Sequence, residues 1–510
     1  MKFQTIKKSA VALIAVSLIC KLFGMVRDIV LAKYYGTSAI SDAYLIAFSV
    51  PTLIFRFVGY SIGTAYLPMY NQIKKEKGVG KALDYTNNLS CIAIAVVAVL
   101  VAALLIFTEP ILRLFAPGFD VQTMALTVRF VRISAASLFF MTLVSIWTGY
   151  LQANQNFVIP GSVSLVRNAV IIASIVIAPR FGLDFLGLGM LLAFVAEFLM
   201  LLVASLRASY RPKVIFQLKD EEVKQTLYLI LPILLGVAVS QINKVVDRSI
   251  ASTMVTGGVS ALSYAGVLNI AVQEVLVTGI ITILFAHCAE LVAQQKHDEV
   301  KRKLSSTIDA TSFLMIPATA GVIILAKEIV TNILCRGSFD AESVRLTTGA
   351  LQCYSAGLAF MSVREILIKL FYAYRDTKTT TVTSVAAIAL NIGLNFLLSR
   401  WFGISGLAAA TSIATATQCI ALYFLLRKKI GNFGTKATGI VLLKSLTATA
   451  VMSGLLILLR RWNVFSSLPP LIVLILYIIL GAICYMACAV ILRIRPLTEL
   501  LEKLFHKIRS

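Results

Sequence analysis

Several apolar stretches of this chain carry basic side chains at positions where a lipid-facing helix would not. The first stretch runs over residues 9–31 and contains Lys21, Arg27 and Asp28. Arg56 lies in the middle of a second stretch. A cation at the centre of a bilayer costs roughly 2.5–3.5 kcal/mol on insertion scales, so such residues are retained where they face a protein interior or a water-filled cavity. The pattern predicts an intramembrane cavity that binds an anion.

Phosphate is the anion that such a cavity would hold best. A guanidinium group is a planar fork that donates two parallel hydrogen bonds to phosphate. Several cations in a cavity of low dielectric constant would hold a diphosphate, and apolar walls would accept a lipid tail. A multidrug exporter of cationic compounds would need an acid-rich cavity instead. The candidate binding residues in later stretches are Lys244, Arg248 and Arg364.

The alternative explanation for these charges is a set of internal ion pairs. Asp28, Asp247 and Glu365 each lie next to an arginine in the sequence. Adjacent residues do not face each other on a helix. We therefore expect any ion pairs to form with partners on other helices, and the explanation stays open at this point.

The composition is that of a polytopic α-helical membrane protein. Of the 510 residues, 59% are hydrophobic and only 14% are charged, whereas soluble domains carry about 25% charged residues. The apolar runs have the length of membrane-spanning helices, and barrel strands would alternate over about 10 residues. We predict about fourteen spans, near residues 9–31, 42–69, 86–108, 125–153, 160–179, 184–206, 225–251, 261–289, 305–331, 344–373, 380–399, 404–426, 438–460 and 469–492.

The formal net charge of +23 would suggest nucleic acid as the partner of a soluble chain. Here most lysines and arginines outside the spans fall on the side that holds both termini. The positive-inside rule places that side in the cytoplasm. The basic excess is thus explained by topology and by contact with anionic membrane lipids, and we expect no nucleic-acid binding.

The cysteines and histidines predict neither a metal site nor a disulfide framework. The eight cysteines lie in or beside apolar segments, and the three histidines are scattered. We expect no cofactor, and the sequence leaves coupling to the membrane potential or to a monovalent ion open. A membrane-embedded glycosyltransferase or polymerase would need acids or a metal at a membrane face. The main acids of the short outer loops are Asp120, Asp340 and Glu342. We therefore expect a transporter without catalytic residues.

A weak internal repeat appears at an offset of about 221 residues. Arg27 corresponds to Arg248, and Gly36 corresponds to Gly257. An even number of spans in each repeat gives parallel repeats, an architecture that supports alternating access to a substrate site between two lobes.

The repeat divides the chain into three predicted regions. Residues 1–206 form an N-lobe of six spans, and residues 207–430 form a C-lobe of six spans. Residues 431–510 hold two further spans and a cytoplasmic tail. We predict that all the transport chemistry takes place within the membrane, because no loop is long enough to hold an independent core.

Two stretches of the chain resemble a known family. The first comprises Gly24-Met25-Val26-Arg27-Asp28, Tyr35-Gly36, Ser41-Asp42-Ala43-Tyr44, Ala47-Phe48, Pro51, Arg56 and Ala65-Tyr66-Leu67-Pro68. The second comprises Tyr354-Ser355-Ala356-Gly357, Arg364 and Phe371-Tyr372-Ala373-Tyr374-Arg375-Asp376-Thr377-Lys378. Both resemble the MurJ (MviN) lipid II flippases of the MOP exporter superfamily, which also includes MATE exporters and O-antigen flippases. The span count and the repeat agree with this resemblance along the whole chain.

The resemblance implies a flippase of the bacterial cytoplasmic membrane that moves the lipid-linked peptidoglycan precursor from the inner to the outer leaflet. Cations of the first two spans line the central cavity in the family, and this role carries over to Arg27 and Arg56. Lys21 stands where the family usually has arginine, and Asp42 matches a family acid. Lipid II is then the implied partner, and an association with the cell-wall synthesis machinery is left open.

The chain also departs from the family pattern. The residues that replace a family arginine, glutamate or proline are Phe55, Tyr60, Gly266, Val267, Val272 and Thr380. We interpret Lys244 and Arg248 as the source of the missing positive charge of the C-lobe. Two alternatives remain: a flippase for another undecaprenyl-diphosphate-linked polysaccharide unit, and a drug exporter of the MATE type.

Overall fold

The computed structural model describes the backbone of residues 2–462, 464–465, 467–499 and 502. Side chains are described from residue 16 onward in these ranges, except at 232–233, 235–236, 238–240, 283 and 286. This part of the chain is helical and contains no strand. The predicted all-α class is therefore confirmed.

The helices follow one another with short connections. In chain order they are α1 Lys2–Tyr35, α2 Ala39–Phe57, α3 Gly59–Ile106, α4 Thr108–Phe115, α5 Val121–Ser134, α6 Ser137–Ala153, α7 Val158–Phe181, α8 Asp184–Arg207, α9 Glu221–Ser252, α10 Gly258–Leu276, α11 Thr278–Ala293, α12 His297–Ile324, α13 Ala326–Leu334, α14 Ala341–Ala356, α15 Leu358–Ala373, α16 Thr377–Phe402, α17 Ile404–Ile430, α18 Thr435–Arg461 and α19 Pro470–Ile491.

Many of these helices are long and apolar enough to cross a membrane. Nine segments of the described chain satisfy this criterion, or ten if the pair α5 and α6, which is bent by 46°, is one span. One of the nine, Ala39–Ile106, has 68 residues. A straight helix of that length would measure about 100 Å, whereas a hydrocarbon core is about 30 Å thick. Each predicted span overlaps a helix or a pair of consecutive helices, and α3 contributes to two of them, but the count of fourteen stays a prediction.

The long segment is interrupted twice for local reasons. α2 ends at Phe57, and the chain turns at Val58 before α3 begins. Inside α3 the backbone of Gly78 has φ 86° and ψ 172°, a conformation that only glycine adopts readily. The start of α2 is fixed by a capping box, in which Ser38 and Ser41 exchange backbone-to-side-chain hydrogen bonds.

The succession of helices recurs along the chain, as the predicted repeat requires. The short helix α4 is followed by α5 to α8, and the short helix α13 is followed by α14 to α17. Left-handed backbone conformations recur with the same spacing, at Gly36 and Gly257 and again at Gly182 and Gly403. Both pairs of positive-φ glycines are 221 residues apart, the offset of the predicted repeat.

The described helices group into two compact units. Unit 1 comprises Met1–Ser260 with Arg336–Phe339, and unit 2 comprises Ala261–Cys335 with Asp340–Ser510. α9 therefore belongs to unit 1, although the sequence repeat assigns it to the second half. The predicted region boundaries at 206/207 and 430/431 describe the repeat and stay a prediction.

Each unit has its own core. In unit 1 an aromatic cluster on α3, α6 and the segment after α8 includes Tyr66, Tyr85, Tyr150 and Tyr210, and the rings of Tyr66 and Tyr85 stack with centroids 5.9 Å apart. In unit 2 the C-terminal helices α18 and α19 pack against α12, where Phe313 and Tyr485 lie in one cluster. The Tyr485 hydroxyl donates to the Phe313 carbonyl at 2.8 Å.

Three loops of unit 1 meet in what we call the three-loop contact, formed by residues 33–38, 253–257 and 336–339. The Ser338 N–H donates to the Lys33 carbonyl at 2.9 Å. Gly36 and Gly337 have positive φ values of 57° and 62°. A Cβ atom on Gly36 would lie 2.3 Å from the Ser338 carbonyl oxygen, and one on Gly257 would lie 2.4 Å from the Thr37 carbonyl oxygen. The missing methyl groups are therefore what allows the loops to approach so closely.

Replacing Gly36 by alanine should lower the midpoint of thermal unfolding of the purified protein. The substitution brings a left-handed backbone cost of about 1–2 kcal/mol and a clash with a backbone oxygen that has no freedom to move away. Gly403→Ala is the control, since Gly403 shares the φ of 57° but has open space at its Cβ position. Equal midpoints for the two variants would contradict the importance of the three-loop contact.

Candidate functional site

Three of the seven predicted binding residues come together in unit 1. Arg56 lies in the last turn of α2, and Lys244 and Arg248 are one turn apart on α9. The ammonium group of Lys244 interacts electrostatically with the guanidinium groups of both Arg56 and Arg248. The side chains of Arg56 and Lys244 are exposed. We call these three residues the Arg56 cluster.

The Arg56 cluster places two guanidinium groups within electrostatic range of the Lys244 ammonium group. Arg56 forms no ion pair with a carboxylate in the part of the chain that the structure describes. Like charges repel each other, and the repulsion is relieved by an anion that binds among them. The bend at Val58 directly after α2 leaves the Arg56 side chain at a helix end. The geometry therefore suits an oxyanion with several charges, such as a diphosphate.

Arg27, in contrast, is paired. Its Nε and Nη2 atoms donate to Oδ1 of Asp28 at 3.0 and 2.8 Å, and its guanidinium group lies 5.6 Å from the centroid of the Phe48 ring. The Arg27 side chain is 22% exposed and that of Asp28 only 9%. One edge of the guanidinium group is thus anchored, and the Nη1 edge remains as a donor.

The expectation that adjacent residues would need partners on other helices is wrong for two pairs. Asp28 pairs with Arg27, and in unit 2 Arg364 donates to Glu365 at 3.2 Å. Arg364 also donates to the Gln418 side chain at 3.4 Å. The Cβ atoms of adjacent residues on a helix do not face each other. The arginine side chain is long enough to reach the neighbouring carboxylate nevertheless.

Lys21 and Asp42 occupy different surroundings. Lys21 has an exposed side chain on α1, six residues before Arg27. The Asp42 side chain is buried and accepts hydrogen bonds from the N–H groups of Gly257 at 2.8 Å and Ser260 at 2.7 Å. Both carboxylate oxygens are therefore used to anchor the start of α10. The predicted role of Asp42 in binding stays a prediction.

A second ion pair in unit 1 was not selected from the sequence. Arg167 on α7 donates through Nη1 to Oε1 of Glu197 on α8 at 3.1 Å, and its guanidinium group lies 5.7 Å from the centroid of the Phe194 ring. The Phe194 ring in turn stacks on Phe48 at 6.3 Å. The signal in the sequence was one charge in the middle of each of two consecutive apolar spans, but nothing local indicated that the two would meet.

Acidic residues of the loops are held as ionised groups. A hydrogen bond from Thr123 lowers the pKa of Asp120, a backbone hydrogen bond from Ser343 lowers that of Asp340, and Arg345 lowers that of Glu342. A general acid needs a raised pKa instead. Asp376 of the RDTK segment accepts from Lys429 at 2.5 Å, which lowers its pKa, and it also caps α16. These acids serve helix ends and ion pairs.

Unit 2 contains an apolar groove of about 440 Å³ between α10, α12, α18 and α19. Its walls include Leu276, Phe313, Pro317, Met452 and Tyr485. The groove has almost no polar lining, so it suits a hydrocarbon chain. No group of three or more histidine, cysteine or acidic side chains that could hold a metal ion occurs among the residues that the structure describes.

Comparison with known proteins gives consistent matches over most of the chain. The family model described as lipid II flippase MurJ matches residues 31–476. A probable lipid II flippase MurJ of Vibrio cholerae is 26% identical over 507 residues, which cover 96% of each chain. A protein of the same description from Haemophilus influenzae is 26% identical over 502 residues, covering 94% of this chain and 98% of the relative.

Solved structures show the same fold. A lipid II flippase MurJ in an inward closed conformation superposes with a TM-score of 0.82 at 23% identity, covering 95% of this chain and 99% of that chain. A MATE multidrug transporter of the MOP superfamily in an inward-facing conformation gives 0.68 at 14% identity, covering 84% and 99%. The structure with the higher TM-score also has the higher sequence identity to this chain.

Proposed function

The chain belongs to the lipid II flippase MurJ family, and on that premise we propose that it moves lipid II from the inner to the outer leaflet of the bacterial cytoplasmic membrane by alternating access. It is a multi-pass membrane protein. Both termini lie in the cytoplasm in this proposal, because the basic loops lie on the same side of the membrane as the termini.

The observation that carries the proposal is the Arg56 cluster. Three cations from two helices converge, and Arg56 has no carboxylate partner among the described residues. The lipid diphosphate supplies the compensating charge when it binds there, and the guanidinium group of Arg56 donates to two of its oxygens at once. Lys21 and Arg27 are further candidate contacts on α1 of unit 1, and Arg364 is a candidate on α15 of unit 2. The cluster therefore selects the charged part of the cargo.

The apolar groove of unit 2 takes the polyprenyl tail in this proposal. Its walls are hydrocarbon and aromatic side chains of α10, α12, α18 and α19. This gives the two C-terminal helices, which lie outside the repeat, a part in transport. Burial of apolar surface at roughly 25 cal/mol per Å² holds the tail without specific contacts. The head group and the tail are thus recognised by different physical means.

The return of the empty carrier needs a driving force. A ligand shifts an equilibrium between two conformations only through its different affinity for them. Moving one elementary charge through 100 mV yields roughly 2.3 kcal/mol. The cations of the empty Arg56 cluster respond to this potential, so we propose that the membrane potential or a monovalent ion resets the carrier, without any cofactor.

The alternative cargo is another undecaprenyl-diphosphate-linked glycan. It is favoured by the departures from the family pattern, above all Phe55 beside Arg56 and Gly266 and Val267 in α10. A cation exporter is disfavoured by the sign of the charge in the Arg56 cluster. Both alternatives place the same side chains in contact with a different molecule, so the cargo has to be tested directly.

Complementation tests the proposed cargo. In cells depleted of their own lipid II flippase, the native chain should restore growth and the accessibility of lipid II at the outer leaflet. An Arg56→Ala variant produced at the same level is the control, because it shows whether the presence of the protein in the membrane is enough to restore growth without transport. Failure of the native chain to restore either property, although it reaches the membrane, would show that lipid II is not its cargo.

A further inference from the structure

Two guanidinium groups of unit 1 lie beside one pair of stacked rings. The guanidinium of Arg27 is 5.6 Å from the Phe48 centroid, and that of Arg167 is 5.7 Å from the Phe194 centroid. The two rings stack with 6.3 Å between centroids and 22° between planes. We call Arg27, Phe48, Phe194 and Arg167 the paired-arginine array. It is contributed by α1, α2, α8 and α7, so four helices fix its shape.

Each arginine of the array is held by one carboxylate that is more buried than the arginine itself. The Glu197 side chain is 2% exposed and that of Arg167 is 30% exposed. The Asp28 side chain, at 9%, is likewise less exposed than that of Arg27, at 22%. The carboxylates thus act as anchors inside the helix bundle, and the cations face more accessible space. The more exposed cation of each pair keeps N–H donors that the carboxylate does not use.

Arg167 has hydrogen-bond capacity to spare. A guanidinium group has five N–H donors, and within the described chain Arg167 donates to a single acceptor, the Oε1 atom of Glu197. Its Nε atom is buried without a partner among the described residues, and so is the side-chain oxygen of the neighbouring Asn168. Arg167 lies about 15 Å from the N-terminal start of α7, near the middle of the span. An ionisable residue at that depth marks a functional site by default.

We propose that Arg167 contacts an oxyanion of the cargo head group and is a second anion-binding position in addition to the Arg56 cluster. The inference rests on the proposed function and adds a residue to it. The oxyanion is a phosphate of the diphosphate or a carboxylate of the peptide that lipid II carries. The stacked rings of Phe48 and Phe194 hold both guanidinium groups by cation–π contact.

The experiment measures binding of lipid II and of undecaprenyl diphosphate to the full-length protein in lipid nanodiscs. The variant R167Q/E197Q removes the cation without leaving an unpaired buried carboxylate. The matched control is R129Q/D184N, which neutralises an exposed ion pair of the same unit. We expect roughly a tenfold to hundredfold loss of lipid II affinity in R167Q/E197Q, the range of one charge-assisted hydrogen bond. The control should stay within about twofold of the native protein.

A charge swap separates contact with the cargo from a structural role. In R167E/E197R the ion pair persists, but the cation moves to the buried position. Affinity that remains low in the swap supports direct contact, whereas affinity restored to the native value overturns the proposal. Unchanged affinity in R167Q/E197Q also overturns it. Folding of each variant is checked by its thermal unfolding profile.

The two lipids identify the oxyanion. Loss of affinity for both lipids assigns Arg167 to phosphate, and loss for lipid II alone assigns it to the peptide carboxylates. Either result supports the proposal. If the native protein binds neither lipid, the proposed function is overturned, and this inference with it. If the native protein and R167Q/E197Q bind lipid II equally tightly, the inference alone is overturned.

Discussion

Alanine in place of Arg56 should reduce lipid II flipping by at least about tenfold while the protein level stays normal. Hydrogen bonds to charged groups contribute about 1.5–3 kcal/mol each, and a guanidinium group makes two of them to a diphosphate. Arg56 forms no ion pair within the described chain, so its removal leaves no buried charge unpaired and has little effect on stability. The measurement is the accessibility of lipid II at the outer leaflet, with Arg113→Ala on the exposed surface of α4 as the control.

Arg56→Lys then separates charge from geometry. Lysine keeps the charge but donates from a single nitrogen, so it cannot reproduce the planar fork. Transport close to the native rate would show that charge dominates, and transport close to that of the alanine variant would show that bidentate geometry dominates. Flipping that is unaffected by Arg56→Ala at a normal protein level would remove Arg56 from the binding site.

Arg27→Gln should destabilise the protein by roughly 3–5 kcal/mol, the cost of leaving one partner of a buried ion pair without compensation. Asp28 is buried, and its carboxylate accepts hydrogen bonds from Nε and Nη2 of Arg27. The double variant Arg27→Gln/Asp28→Asn removes both charges and should recover most of the loss. Flipping should stay impaired in both variants, because neither presents a cation from α1 to the cargo.

Thermal unfolding and the leaflet assay together check this prediction. A single variant as stable as the native protein would mean that Asp28 is solvated or neutral without Arg27. A double variant that recovers transport together with stability would show that Arg27 is a structural residue only. The two assays are needed because loss of folded protein and loss of binding reduce transport alike.

Which residues carry charge inside the membrane was predictable from the sequence, and so was the helical class. The energetic cost of a charge in hydrocarbon is large enough that Arg27 and Arg56 stand out in any apolar run. The partner of each charge was much less predictable. Glu197 is 30 residues from Arg167 on another helix, and only the packing of α7 on α8 brings them together.

The surroundings of Asp42 show a second limit. Its carboxylate accepts hydrogen bonds from two backbone N–H groups more than 200 residues later in the chain, and the sequence did not indicate these partners. Backbone donors leave no trace in side-chain patterns. The helix breaks at Val58 and Gly357 were missed for a similar reason, since neighbouring helices of one apolar run have the same composition as a continuous span.

The three-loop contact has a kinetic consequence. Its glycine positions are filled by carbonyl groups of the neighbouring loops, and Asp42 ties the 257–260 segment to the start of α2. Withdrawal of any one loop breaks its contacts with the others, so we expect the three loops to separate in one cooperative event. If turnover requires this separation, its rate should fall more steeply on cooling than a change in cargo affinity would explain.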